Sequence, residues 1–326
     1  MTTLLAPGPA TRRRRVSSGL WRALTYAALV LIMAPAAWLL ISVVAKAWSH
    51  WRWDVLWTKL TPTGGGLRDQ ILGTLILMFG TLVIAGTIGV FAGIHLAEFT
   101  RPRRFSGRVS GPLRTASDIL SGFPSIVLGY VGYTALVVGL GWGFSLWAAL
   151  IILSIMVIPY IAKTTENSLR QVPTGYREGA EALGMSMGYS LRKVVLKSAL
   201  PGIVTGLLLA LAIACGETAP LIYTAGFAPT LPTSLPLTHA QFPYLTYVVF
   251  QYYNAPEQNY HYLSYDAALI LVVIVLLLLV ASRIIVSRTQ RHAEGARTRT
   301  LPRRRPRGPT TGTMDGLDIA GMAGRR

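Results

Sequence analysis

Glu217 is the first residue that asks for a chemical reason. It stands inside the apolar stretch Leu200–Gly226, which holds no Lys or Arg, and an ionisable group in such surroundings is by default functional or paired. Pro220 follows three residues on; it has no N–H, so the carbonyl of Gly216 loses its helical partner and the stretch is expected to kink. Glu217 then either holds that kink, by a salt bridge or by capping local donors, or acts as a gate or latch between helices. A second constellation, Ser121, Gly122, Pro124 and Ser125, offers hydroxyls and accessible backbone N–H groups of the kind that suit an oxyanion at a broken helix. The same small residues would also serve tight helix packing.

Other chemistry is poorly provided for. No Gly-rich segment ends in Gly-Lys-Ser or Gly-Lys-Thr, so the chain cannot hydrolyse ATP alone. His95, His239, His261 and His292 are scattered and form no nucleophilic constellation with a serine and an acid. We therefore expect no catalytic residue and no metal site. His50 lies among Trp48, Trp51 and Trp53, a cluster that interfacial anchoring explains. Cys215, the single cysteine, excludes a disulfide framework and reads as a small buried hydrophobe.

The elements that must position these residues are membrane helices. Of 326 residues 52% are hydrophobic and 13% charged, about half the charge of a soluble domain. Windows long enough to cross a bilayer, roughly 20 apolar residues, run from Ala23 to Ala45, Ile71 to Ala97, Asp118 to Leu140, Ser145 to Ala162, Leu200 to Gly226 and Tyr265 to Ser282. All six read as helices. Arg12–Arg15 followed by Ala34-Pro35-Ala36 superficially resembles an export signal, but the apolar run continues through Val44, which makes an uncleaved first crossing.

The formal charge of +18 is then a topology signal. Lys and Arg gather before the first crossing, between the second and third (Arg101, Arg103, Arg104, Arg108, Arg114), between the fourth and fifth, and after the sixth, while Phe227–Tyr262 has none. Short cytoplasmic loops carry such an excess, so both termini are expected in the cytoplasm, and binding of nucleic acid loses its support. Residues 1–22 read as a basic arm, 23–286 as the membrane domain, and 287–326 as a basic tail. Its Arg303, Arg304, Arg305 and Arg307 alternate with Pro302 and Pro306, a composition expected to be disordered and to meet anionic membrane lipids. The fifth loop, rich in Pro and carrying Tyr244, Tyr247, Tyr252, Tyr253, Tyr260 and Tyr262, reads as an aromatic belt on an interfacial segment, with a docking surface as the other reading.

The fourth loop, residues 163–199, has structure written into it. Thr174 can cap a helix with Tyr176, Ala180 and Leu183 on one side, and Gly184 supplies a stop. Leu191, Val194, Val195 and Ala199 continue as a second helical pattern. The first helix is shorter than the roughly 12 residues that stand alone in water, so it must pack against something.

Glu178-Gly179-Ala180-Glu181-Ala182-Leu183-Gly184, with Val194 ten residues later, resembles the cytoplasmic EAA loop of permeases of binding-protein-dependent ABC importers. Gly179 replaces the usual Ala, loosening the helix by up to about 1 kcal/mol, and Lys197 stands where Pro is usual, although Leu200-Pro201-Gly202 follows. Ser121–Tyr130 and Gly216–Ala225 are similar to segments of the phosphate-specific members, and the resemblance spans Leu72–Val286.

The resemblance implies an all-α membrane protein with six crossings, the type I ABC importer permease fold, in the inner membrane of a bacterium. It implies a phosphate importer in which this chain binds no cofactor itself. A second homologous permease would share the translocation path, two ATPase subunits would bind ATP and Mg, and an extracytoplasmic protein would deliver phosphate. Glu178–Gly184 would be the ATPase-coupling segment, and Ser121, Gly122, Pro124, Ser125, Glu217, Thr218 and Pro220 the candidate path. Ile213 stands where many relatives have an arginine, so any fixed cation would come from the partner permease. A permease for molybdate or sulfate would share the coupling loop; an ion-driven secondary transporter would need paired intramembrane acids or an inverted repeat, and neither is visible.

Overall fold

The computed structural model describes residues 9–61, 64–99, 107–232 and 238–299. The chain forms two units, Met1–Val286 and Ser287–Arg326. Its elements are α1 (Pro9–Trp48), a two-residue hairpin of β1 (Leu60–Thr61) and β2 (Gly64–Gly65), α2 (Arg68–Glu98), α3 (Gly107–Gly122), α4 (Ser125–Gly132), α5 (Leu146–Arg170), α6 (Thr174–Ala182), α7 (Met187–Ser190), α8 (Leu196–Gly216), α9 (Ala219–Thr224), α10 (Leu245–Tyr253) and α11 (Gln258–Arg299). Widened helical turns extend α4 through Tyr133–Gly139 and join α7 to α8 through Leu191–Val195.

Among the described residues five helices are long and apolar enough to cross a membrane: Ser17–Trp48, Arg68–Glu98, Leu146–Arg170, Met187–Gly216 and Gln258–Arg288. A sixth span exists only as a broken pair, Gly111–Gly122 and Ser125–Gly139, bent by 103°. The third apolar window is therefore a bent pair rather than a straight rod.

Helix α5 occupies the centre, its Leu150, Ile152, Leu153, Val157 and Ile161 in one buried cluster with residues of α2, α4, α8 and α9. Close approach requires glycine. On α2 a Cβ at Gly89 would stand 2.7 Å from Cβ of Ile161, and one at Gly93 would stand 2.6 Å from the carbonyl oxygen of Ala162. On α8, Gly202 and Gly206 face Ser168 and Thr164 of α5 in the same way. Without a hydrophobic drive between helices in lipid, such small-residue contacts are what lets them associate.

The segment between α9 and α10 is tied down by the start of α2. Asp69 accepts the N–H of Leu231 at 3.1 Å, Gln70 donates to the carbonyl of Pro229 at 2.8 Å, and Thr74 accepts the N–H of Leu245 at 3.0 Å. The expected aromatic belt is only part of this region: Phe250 and Tyr253 are exposed, but Tyr244 and Leu245 are in the core, and Phe227 stacks on Tyr247 at 4.1 Å. Part of the expected disordered tail is also helix, since α11 runs on to Arg299. Residues 300–326, with the tail's arginine cluster, lie outside the described residues, as do Arg101, Arg103 and Arg104.

Candidate translocation and coupling sites

Two breaks meet in the membrane domain. In the first, Pro124 takes an extended backbone (φ −60°, ψ 128°) between α3 and α4, where its missing N–H ends the helical ladder. Ser121 turns its hydroxyl back onto the carbonyls of Ser117 and Asp118 at 2.6 and 3.2 Å. Gly122 is exposed with open space around it.

The second break replaces the single helix expected over Leu200–Gly226. Helix α8 stops at Gly216, Glu217 is extended (φ −75°, ψ 129°), and Thr218 leads into α9 with Pro220 in its first turn. The physical reason is positional: a proline at the start of a new helix forfeits no hydrogen bond, whereas inside a continuous one it does. The carbonyl of Glu217 finds a partner in the hydroxyl of Thr246 at 3.0 Å, and that of Thr218 in the N–H of Ile222 at 3.1 Å.

The fold brings the two breaks together. Gly129 of α4 faces Pro220 of α9 so closely that a Cβ there would meet its Cα at 2.6 Å. Ser125 and Glu217, both half-buried, lie within electrostatic reach of each other. Irregular backbone at membrane depth persists only where protein buries it or a cavity is lined by it. Beside this seam lies a group that the sequence reading missed: Tyr130, Tyr133 and Tyr223 lie within 6.3 to 6.5 Å of one another, with Phe144 6.0 Å from Tyr133. The spacing of Tyr130 and Tyr133 on one helical face was the available signal.

The segment after α5 differs from expectation at its start. Residues 163–170 belong to α5, and the residue that caps α6 is Pro173, not Thr174, with no side-chain capping bond. Its end matches expectation. Gly184 adopts φ +73°, its N–H meets the carbonyl of Glu181 at 2.9 Å, and that of Met185 meets Ala180 at 3.0 Å, a Schellman pair closing the helix. Of the expected apolar side only Ala180 is buried (4%); Tyr176 and Leu183 are 56% and 77% exposed. Glu178, Gly179, Glu181 and Ala182 are exposed as well.

Arg177 holds α6 to the bundle. Its Nη1 donates to both carboxylate oxygens of Glu98 at 2.6 and 2.5 Å, and its Nη2 to the carbonyl of Leu169 at 3.0 Å. Glu166 on α5 accepts from Arg114 of α3 and from Arg170 at 2.6 and 2.9 Å.

A helical membrane bundle with two spans broken side by side, and a short helix presenting apolar residues at one end, has the build of a transport permease. The chain belongs to the family described as "Binding-protein-dependent transport system inner membrane component", whose model matches residues 85–291. It is 51% identical to "Phosphate transport system permease protein PstA 2" of Mycobacterium bovis, covering 84% of this chain and 89% of the relative. It is 34% identical to "Phosphate transport system permease protein PstA" of Yersinia pestis, covering 77% and 83%. Among solved structures it is similar to a chain of the inward-facing MetNI methionine ABC transporter, at 24% identity and TM-score 0.49, covering 68% and 94%. The protein is thus a multi-pass inner-membrane permease of an ABC transporter, a class that works with ATPase subunits and a binding protein.

Proposed function

We propose that this chain is a permease subunit of an ATP-driven phosphate importer. It pairs with a PstC-like permease, rests on two PstB-like ATPase subunits that bind ATP and Mg, and receives phosphate from a PstS-like binding protein outside the cell. Both termini and α6 face the cytoplasm. The chain is non-catalytic and binds no cofactor.

The observation that carries the coupling half is the exposure of Tyr176 and Leu183 on a helix whose Ala180 is buried. Two large apolar side chains held away from the bundle on a nine-residue helix suit the groove of a partner. Glu178 to Gly184 form the contact, and ATP-driven closure of the ATPases moves two such helices together, switching the spans between inward- and outward-facing arrangements. The path runs by Ser121, Gly122, Pro124, Ser125, Glu217, Thr218 and Pro220. Ser125 and backbone donors meet the oxyanion, Glu217 serves as a latch between the breaks, and the partner permease supplies any fixed cation.

Leu183→Glu tests this reading. Truncating or charging a central anchor typically costs 2 kcal/mol or more of binding. The ATPase should therefore no longer copurify with the inserted permease, and ATP-dependent phosphate uptake should fall at least about tenfold. Unchanged uptake removes the coupling assignment. Uptake that excess molybdate or sulfate suppresses as well as unlabelled phosphate does would reassign the cargo.

A further inference from the structure

The Arg177–Glu98 pair has a location that the coupling contact alone does not require. Its side chains are 18% and 5% exposed, and it joins the fourth residue of α6 to the last helical residue of α2, 79 positions away. The same guanidinium reaches the carbonyl of Leu169 on α5, so one side chain grips α6, α2 and α5 together. No other charged contact made by α6 occurs among the described residues. Within α6 only Ala180 is buried, a side chain too small to hold an orientation.

Burying two charges is expensive unless geometry and hydrogen bonding are good. Here both carboxylate oxygens and both terminal guanidinium nitrogens are occupied. A lysine would bring a point charge in place of the planar fork. Helices α2 and α5 are the pair joined through Gly89 and Gly93, so a rotation of α6 reaches the bundle centre through rigid elements.

We propose that Arg177 and Glu98 are positioning residues: a buried ion pair that makes α6 move as one body with α2 and α5, converting displacement of α6 into rearrangement of the spans. This rests on the coupling reading above and adds the route by which motion enters the membrane. The pair touches neither phosphate nor ATP.

The experiment uses the full transporter in sealed proteoliposomes, with inorganic phosphate uptake and ATP hydrolysis read on the same vesicles. Glu98→Gln and Arg177→Gln should leave the ATPase copurifying and hydrolysing, while phosphate moved per ATP falls about tenfold, within the range that mutations in a coupling network reach. The exchanged double variant Glu98→Arg with Arg177→Glu should recover part of that ratio. Unchanged phosphate per ATP in the single variants overturns the proposal, and so does an exchange that recovers nothing. Single variants that fail to insert or assemble overturn it too, by assigning the pair to stability alone. Failure of the coupling reading itself looks different, since the wild-type permease would then not retain the ATPase at all.

Discussion

Helices α1 and α5 are nearly matched in hydropathy, 2.5 and 2.0 over their most apolar windows, yet none of the α1 window is buried and 67% of the α5 window is. The most apolar span of all, in α11 at 3.2, is only 11% buried. Within a membrane, apolarity does not sort interior from exterior, because lipid is as apolar as leucine. What marks the interior is the addition of small and hydroxyl-bearing residues to large ones such as Leu153, Val157 and Ile161. The interior of α5 holds Ala148, Ala149, Ser154 and Thr165, each at most 1% exposed, and its neighbours approach with glycine. The outward residues of α1 are Leu31, Ile32, Trp38 and Ile41, which fill space against chains of lipid.

Gly93→Leu should have the largest effect on the interior. Its Cβ would meet the carbonyl oxygen of Ala162 at 2.6 Å, which is backbone and cannot rotate away, so α2 and α5 must separate. Overpacking of this kind costs about 1–3 kcal/mol and sometimes more. Thermal unfolding in detergent should show a markedly lower midpoint, or the inserted fraction should drop; wild-type values for both would mean that the α2–α5 contact is not tight.

A smaller effect is expected from Leu153→Ala at the centre of α5, where the leucine is 1% exposed. Such truncations cost about 2–5 kcal/mol in soluble cores. Here the transfer part shrinks, because the reference medium is lipid, and the lost packing part remains. The decrease in unfolding midpoint should therefore be clear yet less than that of Gly93→Leu. A loss as large as the soluble upper range would show that α5 leaves a water-like environment on folding.

What could be read from the sequence acts locally. Gly184 stops a helix because its own backbone takes φ +73°, and Pro124 and Pro220 interrupt because their own N–H is missing. Apolar windows announce membrane spans one at a time. What escaped depends on distant partners. Tyr176, Ala180 and Leu183 are spaced for one side of α6, but only Ala180 turns inward, beside Arg177 gripping Glu98, and in the sequence that Arg and Glu look like ordinary charges at loop ends. Likewise Pro220 signals a missing donor, while the step from kink to full break rests on Gly129 against Pro220 and on Thr246 at the carbonyl of Glu217. The approach of Gly129 to Pro220 joins two segments singled out separately, and nothing local to either said that they meet.

The smallest expected effect belongs to α1 and is the sharpest test of the comparison. This helix meets the rest of the domain near its end, where Lys46 bonds to the Tyr265 hydroxyl at 2.9 Å, Ala47 is 1% exposed, and the His50 ring stacks on Tyr262 at 3.8 Å. Leu31, 75% exposed, lies more than ten residues earlier. Leu31→Ala should change the stability of the isolated chain by less than about 0.5 kcal/mol, as substitutions away from packed features do. The same substitution examined in the assembled transporter separates two occupants of that face: an unchanged unfolding midpoint there means lipid, whereas a drop seen only in the complex means that another subunit packs on α1.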